Sequence, residues 1–232
     1  MTSAVSFLAR PLKWPPVFPL EKGLVLWLPF DDRSGAIAYD RSGKKNHGTL
    51  YGPTWVAERR GSALSFNGST SRVDITTDML FGTGDFSWLI LVKPNLLGTL
   101  QTIMGKGSSW NNERWEIRQT VGNAFELMIY DAGVVTFPTS VTTAVVGTWI
   151  HIAAVRDGNT GRLYINGAQE DAHTGIAGCS FSGSYPLMLG RYFEEESSFL
   201  DGVIAMVLII NRALNATEVK RHAESELLLA RH

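Results

Sequence analysis

Trp149-Ile150-His151-Ile152-Ala153-Ala154-Val155-Arg156-Asp157-Gly158 is followed shortly by Gly161-Arg162-Leu163-Tyr164-Ile165-Asn166-Gly167. Both runs are apolar and rich in β-branched residues, and each is closed by a glycine-containing turn. The pair therefore reads as a β-hairpin followed by a second tight turn. Other short apolar runs occur at 86–92, 125–130 and 203–210, and glycine recurs between them throughout the chain. Few stretches carry a helical period, so the pattern predicts short strands joined by turns, as in a sandwich or jelly roll. With 232 residues, 44% of them hydrophobic, the chain can bury a sizeable core as one domain.

The hairpin also resembles a family. Trp149, His151, Ala153, Val155-Arg156-Asp157-Gly158 and Leu163-Tyr164-Ile165-Asn166-Gly167 are similar to the laminin-G-like domains of the concanavalin-A-like lectin/glucanase superfamily. Gly23-Leu24-Val25-Leu26-Trp27-Leu28-Pro29-Phe30-Asp31 looks like the opening strand of that family. Tyr39-Asp40-Arg41-Ser42-Gly43-Lys44-Lys45-Asn46-His47-Gly48 resembles its Asp-x-Ser-Gly-x-x-Asn-His-Gly segment. Ala63-Leu64-Ser65-Phe66-Asn67-Gly68, Arg72-Val73-Asp74-Ile75, Pro186-Leu187-Met188-Leu189-Gly190-Arg191 and Asn211-Arg212-Ala213-Leu214 continue the likeness in the right order. The resemblance implies an all-β, two-sheet antiparallel jelly-roll sandwich that acts by binding, with enzymes in some branches only.

Charge and cysteine content narrow the partners. The chain has 21 basic and 22 acidic residues, so no footprint for nucleic acid is visible. A single cysteine, Cys179, excludes an intramolecular disulfide and reads as a small buried hydrophobe. The first residues lack the basic region and apolar run of a signal peptide, and no stretch reaches membrane-spanning length. The expectation is synthesis in the cytoplasm without a signal peptide, with no membrane partner.

Residues 1–22 read as a proline-rich extended arm, since Pro11, Pro15, Pro16 and Pro19 favour polyproline II and remove backbone donors. Phe7, Trp14 and Phe18 on that arm need a surface, either their own sandwich or another subunit. Residues 23–214 form the sandwich, and 215–232 a short helix. Asn215 is its N-cap with Glu218 three residues on, and Val219, Ala223 and Leu227 share one face. At 203–210 both strand parities are apolar, where the resembled family carries acidic and basic residues. Both faces of that strand should be buried. Cover by the arm or helix is one explanation. An assembly interface including Met206, Leu208 and Ile210 is the other, and the favoured one.

Catalysis is weighed against the glycosidases of the superfamily. Their two carboxylates on one strand face, in a Glu-x-Asp-x-(x)-Glu run, are missing here. Glu113, Glu116 and Glu126 are the nearest acids, and Glu116 should share a face with Arg118. Calcium is the one cofactor that relatives imply; a structural ion would draw on Asp31, Asp32, Asp201, Glu194 and Glu195, although 67–71 carries no acid. For glycans the candidates are Trp110 with Asn111 and Asn112, and Tyr192 with Phe193, as aromatic platforms in polar loops. The sequence thus predicts a binding or interaction module and not an enzyme. Its favoured role is a structural or decoration protein of a virus particle or similar assembly, forming homo-oligomers or joining a larger complex. The alternative is a lectin-like surface module.

Overall fold

The computed structural model describes residues 20, 22–76, 79, 81–108, 113–131, 133–181, 183, 185–192 and 198–231, with the side chains of 108 and 231 left aside. The chain opens with β1 (Leu24–Leu28), β2 (Ile37–Ala38), β3 (Gly48–Tyr51), β4 (Thr54–Glu58), β5 (Gly61–Asn67) and β6 (Arg72–Ile75). Next come β7 (Phe86–Pro94), β8 (Gln101–Ser108), β9 (Glu113–Gln119), β10 (Ala124–Asp131), β11 (Val134–Thr136) and β12 (Thr139–Thr143). It closes with β13 (Ile150–Asp157), β14 (Thr160–Ile165), β15 (Ala168–Thr174), β16 (Leu187–Leu189), β17 (Asp201–Ile210) and α1 (Ala216–Arg231).

Two antiparallel sheets form a sandwich of the jelly-roll kind. The first has the order β15-β14-β13-β7-β17-β5-β4, with β1 also on β17. The second has the order β11-β10-β9-β8-β16-β6-β3-β2, with β12 also on β10. The hairpin that opened the sequence reading forms three strands at the edge of the first sheet. Gly158, at φ 56°, enters the two-residue turn between β13 and β14. Asn166 and Gly167 have φ 51° and 88°, the pair of positive values that a type I′ hairpin turn requires.

Side-chain parity divides the first sheet into two apolar faces. Phe86, Trp88, Ile90 and Val92 of β7 face the second sheet, together with Ile150, Ile152 and Ala154 of β13. Leu89, Leu91, Ala153 and Val155 face the other way, into a second cluster with Val219 and Leu227 of α1. In β17 the register shifts between Ile204 and Met206, so Ala205 and Met206 both turn outward while Ile204 and Val207 stay inward. Arg60 donates to the carbonyl that this bulge frees at Ala205 (3.2 Å).

This arrangement corrects the sequence reading of the doubly apolar strand. Met206, Leu208 and Ile210 are at most 1% exposed and belong to one apolar cluster with Leu20 and Leu214 and with Val219 and Leu227 of α1. This burial favours cover within the chain over an assembly interface. Phe7, Trp14 and Phe18 of the arm lie outside the described residues. Where the arm meets the sandwich, Leu20 is 4% exposed and the Lys22 carbonyl accepts from Arg212 Nε (3.2 Å).

The helix begins as its capping box predicts. Asn215 Oδ1 accepts from the amides of Thr217 and Glu218 (both 3.0 Å), and Glu218 Oε2 accepts from the amide of Asn215 (2.9 Å). Its buried face is not wholly apolar. His222 Nδ1 lies 2.9 Å from His151 Nε2 of β13, and Glu226 Oε2 lies 2.7 Å from Arg60 Nη1. Gly167 sits beneath this helix, where a Cβ would come within 2.9 Å of Lys220 Cα.

Burial holds the His151 ring down to about 3, and it also holds His222 well below its ordinary value, aided by the nearby His151 and Arg60. Histidines of this kind stabilise the fold fully above the unfolded value of about 6.5. That contribution is lost as pH falls toward the folded value. Between pH 7 and 4.5 His151 alone removes about 2–3 kcal/mol, partly offset by Glu226, which burial pushes the opposite way. Urea unfolding at the two pH values measures the loss. The double variant H151N/H222Q should abolish at least half of it; an unchanged pH dependence in that variant would refute the assignment.

Candidate functional site

With α1 sealing the outer face of the first sheet, the outer face of the second is the broad sheet surface left to solvent and loops. In β10 the burial alternates strictly: Phe125, Leu127 and Ile129 point into the core, and Glu126, Met128 and Tyr130 point outward half-buried. In β9 Trp115 and Ile117 are core residues, so Arg114, Glu116 and Arg118 point outward. In β6 Val73 and Ile75 are inside, with Arg72 and Asp74 outside. Thr49 and Tyr51 of β3 stand opposite Asp74 and Arg72. The strand alternation of the sequence thus creates a polar face in the middle of an otherwise apolar β framework.

That face repeats one arrangement three times: an arginine held between a carboxylate and an aromatic ring. Arg72 Nε donates to Asp74 Oδ1 (3.2 Å), and its guanidinium carbon lies 4.1 Å from the Tyr51 ring centre. Arg114 Nε donates to Glu116 Oε2 (2.8 Å), with its guanidinium 3.6 Å from the centre of Tyr192. Arg118 Nε donates to Glu126 Oε1 (2.7 Å), with its guanidinium 5.4 Å from Phe137. A guanidinium suits this position because its edge donates in a fixed fork while its face stacks.

The three differ in access. The central one is sealed: Glu116 is 1% exposed and Tyr192 fully buried. Thr102 Oγ1 donates to Glu116 Oε1 (2.5 Å) and meets Ser198 Oγ at 3.1 Å. Burial raises the Glu116 carboxyl above its usual range, against the pull of Arg114, Thr102 and Arg118. The two flanking triads are partly open: Arg72 and Asp74 keep 28% and 15% of their side chains in solvent, Arg118 and Glu126 keep 17% and 12%, and Tyr51 is 45% exposed.

The candidates from the sequence fall as follows. Trp110, Asn111, Asn112, Phe193, Glu194 and Glu195 lie outside the described residues. Tyr192 is no open stacking platform, since Arg114 and the sheet surface bury its ring. Glu116 and Arg118 do share a face, but each takes another partner: Arg114 for Glu116 and Glu126 for Arg118. Glu113 is drawn off to the amide of Gly183 (2.7 Å). Asp31 and Asp32 share Arg41 (2.9 and 2.7 Å), away from Asp201, which accepts from Asn95 Nδ2 (3.2 Å). Among the described residues no three acidic, histidine or cysteine side chains converge as a metal would require. His47 acts as a loop organiser, its Nδ1 accepting from the amide of Asp40 (3.0 Å). Missed by the sequence reading were Arg72, Asp74 and Tyr51 as a unit. The alternation of Arg72-Val73-Asp74-Ile75 was the available signal, but the opposing Tyr51 comes from another strand.

Residues 67–220 match the family Laminin_G_3 of the concanavalin A-like lectin/glucanases superfamily. The chain belongs to this superfamily. No curated protein matches it in sequence. Several solved structures share its fold. One is the binding domain of Paraclostridial Mosquitocidal Protein 1 (TM-score 0.75, 19% identity, 89% of this chain and 53% of that one). Another is domain 4 of AbnA, a GH43 extracellular arabinanase from Geobacillus stearothermophilus, solved with arabinotriose (TM-score 0.72, 20% identity, 86% and 98%). The Trypanosoma rangeli sialidase is a third (TM-score 0.70, 15% identity, 90% and 34%). The chain thus spans about half of the toxin binding domain and a third of the sialidase, but nearly all of the arabinanase domain. At these identities the likeness concerns the fold alone.

Arg114→Ala should lower the unfolding free energy by about 3–5 kcal/mol at pH 7, because it leaves Glu116 buried without its cation. The loss should shrink at pH 4. A buried carboxyl with a raised value is neutral in folded and unfolded states alike below the unfolded value of about 4.3, and destabilises only as pH rises above it. Denaturant unfolding at the two pH values checks both magnitude and sign; an equal loss at both would contradict it.

Proposed function

We propose that the chain is a non-catalytic carbohydrate-binding module whose site lies on the outer face of the second sheet, at its open triads. The observation that carries this reading is the Arg72–Asp74–Tyr51 unit with its half-exposed ring, repeated in more enclosed form at Arg118–Glu126–Phe137. A carboxylate beside a guanidinium offers acceptors and donors in one plane, matching two neighbouring sugar hydroxyls. A half-exposed aromatic ring supplies an apolar surface for the C–H face of a pyranose or furanose. Both pairs are pre-formed, so little side-chain entropy is lost on binding. The arabinotriose held by the arabinanase domain gives a first probe of the right class.

Hydrolysis has little to work with at this site. Glu116, the carboxyl raised by burial and hence the candidate acid, is sealed from substrate, and Glu126 is held by Arg118. The reading of a particle-decoration protein loses one of its supports, because Met206, Leu208 and Ile210 are already buried within the chain. The proposed binding needs no calcium, so chelation should leave it unchanged.

Titration calorimetry with arabinotriose and a panel of neutral oligosaccharides tests the proposal. At least one saccharide should bind in the micromolar to millimolar range. Y51A with R72A, or R118A with F137A, should then weaken it at least about tenfold, or 1.4 kcal/mol, without lowering thermal stability in step. If no saccharide binds, or if both pairs of variants keep full affinity, the site is wrong.

A further inference from the structure

We infer that one rim of the sandwich is a membrane-docking tip that dips aliphatic side chains into a lipid bilayer surface. Three loops meet there: 95–100 between β7 and β8, 120–123 between β9 and β10, and 144–149 between β12 and β13. Their ends carry Leu96, Val121, Val145 and Val146, exposed by 41%, 64%, 55% and 53%. None of the three loops contains an aspartate, glutamate, lysine, arginine or histidine, in a chain where charged residues make up 19%. Three neighbouring loops without an ionisable group are unusual for solvated turns, which favour polar residues.

The loops are tied to one another, so these side chains project from one rigid tip. Asn123 Oδ1 accepts from the amide of Gly98 (2.7 Å), and the Asn123 carbonyl accepts from that of Ala144 (2.7 Å). The amide of Gly147 donates to the Pro94 carbonyl (2.9 Å). Gln101 and Gln119 both donate from Nε2 to the Leu96 carbonyl (2.9 and 3.0 Å). With the backbone satisfied in this way, the aliphatic side chains cannot fold inward, and Leu97 already fills the core beneath them.

Size and chemistry favour a bilayer over a protein as the occupant. The four side chains expose on the order of 300 Å², while a stable protein interface needs about 800 Å² from each partner. Such interfaces are built on tyrosine, tryptophan and arginine with a hydrogen bond every 100–200 Å² or so, and leucine and valine are poor anchors. These loops offer aliphatic groups beside neutral asparagine and threonine, with no ionisable side chain of their own. A fluid hydrocarbon layer requires no matching shape, and it rejects charge, which none of the three loops carries; the adjacent Asp201 carboxylate is held by Asn95 Nδ2 (3.2 Å) at the base of the first loop. Half-buried Trp149 stands at the base of the third loop, with Lys93 Nζ 4.9 Å from its ring centre. An amphipathic ring at that level suits the water–lipid boundary. Lys93 itself is paired with Glu58 (2.6 Å) and is not a free cation for anionic headgroups.

Sedimentation of the full chain with extruded phosphatidylcholine vesicles tests this. The chain should pellet with the vesicles, and molar salt should leave the bound fraction unchanged, because no headgroup ion pair is involved. V121D/V146D should reduce partitioning at least about tenfold, since two carboxylates would have to enter the interface, while thermal unfolding stays that of the parent. The inference fails if the parent chain remains in the supernatant at millimolar lipid, or if the variant pellets equally. It also fails if binding is confined to anionic vesicles and lost in salt. Self-association without lipid that V121D/V146D abolishes would assign the tip to a protein partner and overturn it.

Discussion

A sheet whose central strands are apolar on both faces must be covered on both, and here one helix supplies the second cover. Every other surface property follows from that packing. Because α1 packs on β13 and β15 and shares one apolar cluster with the outward residues of β7 and β17, the chain can place leucine, valine and isoleucine at both parities of those strands without exposing them. The helix is located by polar groups as well as apolar ones. His151 meets His222, and Arg60 joins Glu226 to the bulged carbonyl of Ala205. Buried polar pairs add little net stability against an apolar replacement, but a helix slid by one turn would orphan all of them. They fix the register of a cover that hydrophobic contact alone would leave loosely specified.

The polar face is what this sealing leaves. Outward positions of the second sheet carry arginine and carboxylate where the first carries aliphatic side chains, although both sheets present the same apolar set to the shared core. An arginine set between a carboxylate and a ring is well satisfied when closed over, as at Arg114, and chemically offered when open, as at Arg72 and Arg118. The buried copy serves stability, and the open copies have the same geometry without the roof. Position across the sheet decides the role, with no change in residue chemistry.

Much of this was legible from sequence because it is local. Hairpin turns announced themselves through Asp157-Gly158 and Asn166-Gly167, and the helix start through Asn215 and Glu218. The double burial of 203–210 was legible as well, since parity is a property of the strand alone. Its cause was not. Whether an apolar face meets a helix or another subunit depends on where a distant segment lands, and α1 is joined to β17 by a short connection that carries no directional signal. The same holds for the ion pairs. Glu116 and Arg118 are two residues apart on one face, yet Arg118 turns across to Glu126 on β10 and Glu116 to Arg114. Rotamers and cross-strand register make that choice, and neither is written in the spacing. Tyr192 misled for a related reason: an aromatic in a polar stretch reads as exposed until an arginine from another strand covers it.

The outward-facing aliphatic residues of β17 and those of the rim have two distinct physical fates. Those of β17 lie on a regular strand whose outward face is continuous, so a single amphipathic helix can cover all of them. Those of the rim stand on three separate loops whose backbone groups are already bonded to each other, and a convex tip of this kind has no flat face for a helix to match. Folding can bury the first set and cannot bury the second. What remains exposed is there because the loop geometry holds it out of reach of the core, and its lack of charge leaves hydrocarbon as the environment that stabilises it. A bilayer engaged at that rim would bring the polar face of the second sheet, which runs back from β9 and β10, to the level of glycans standing on the same surface.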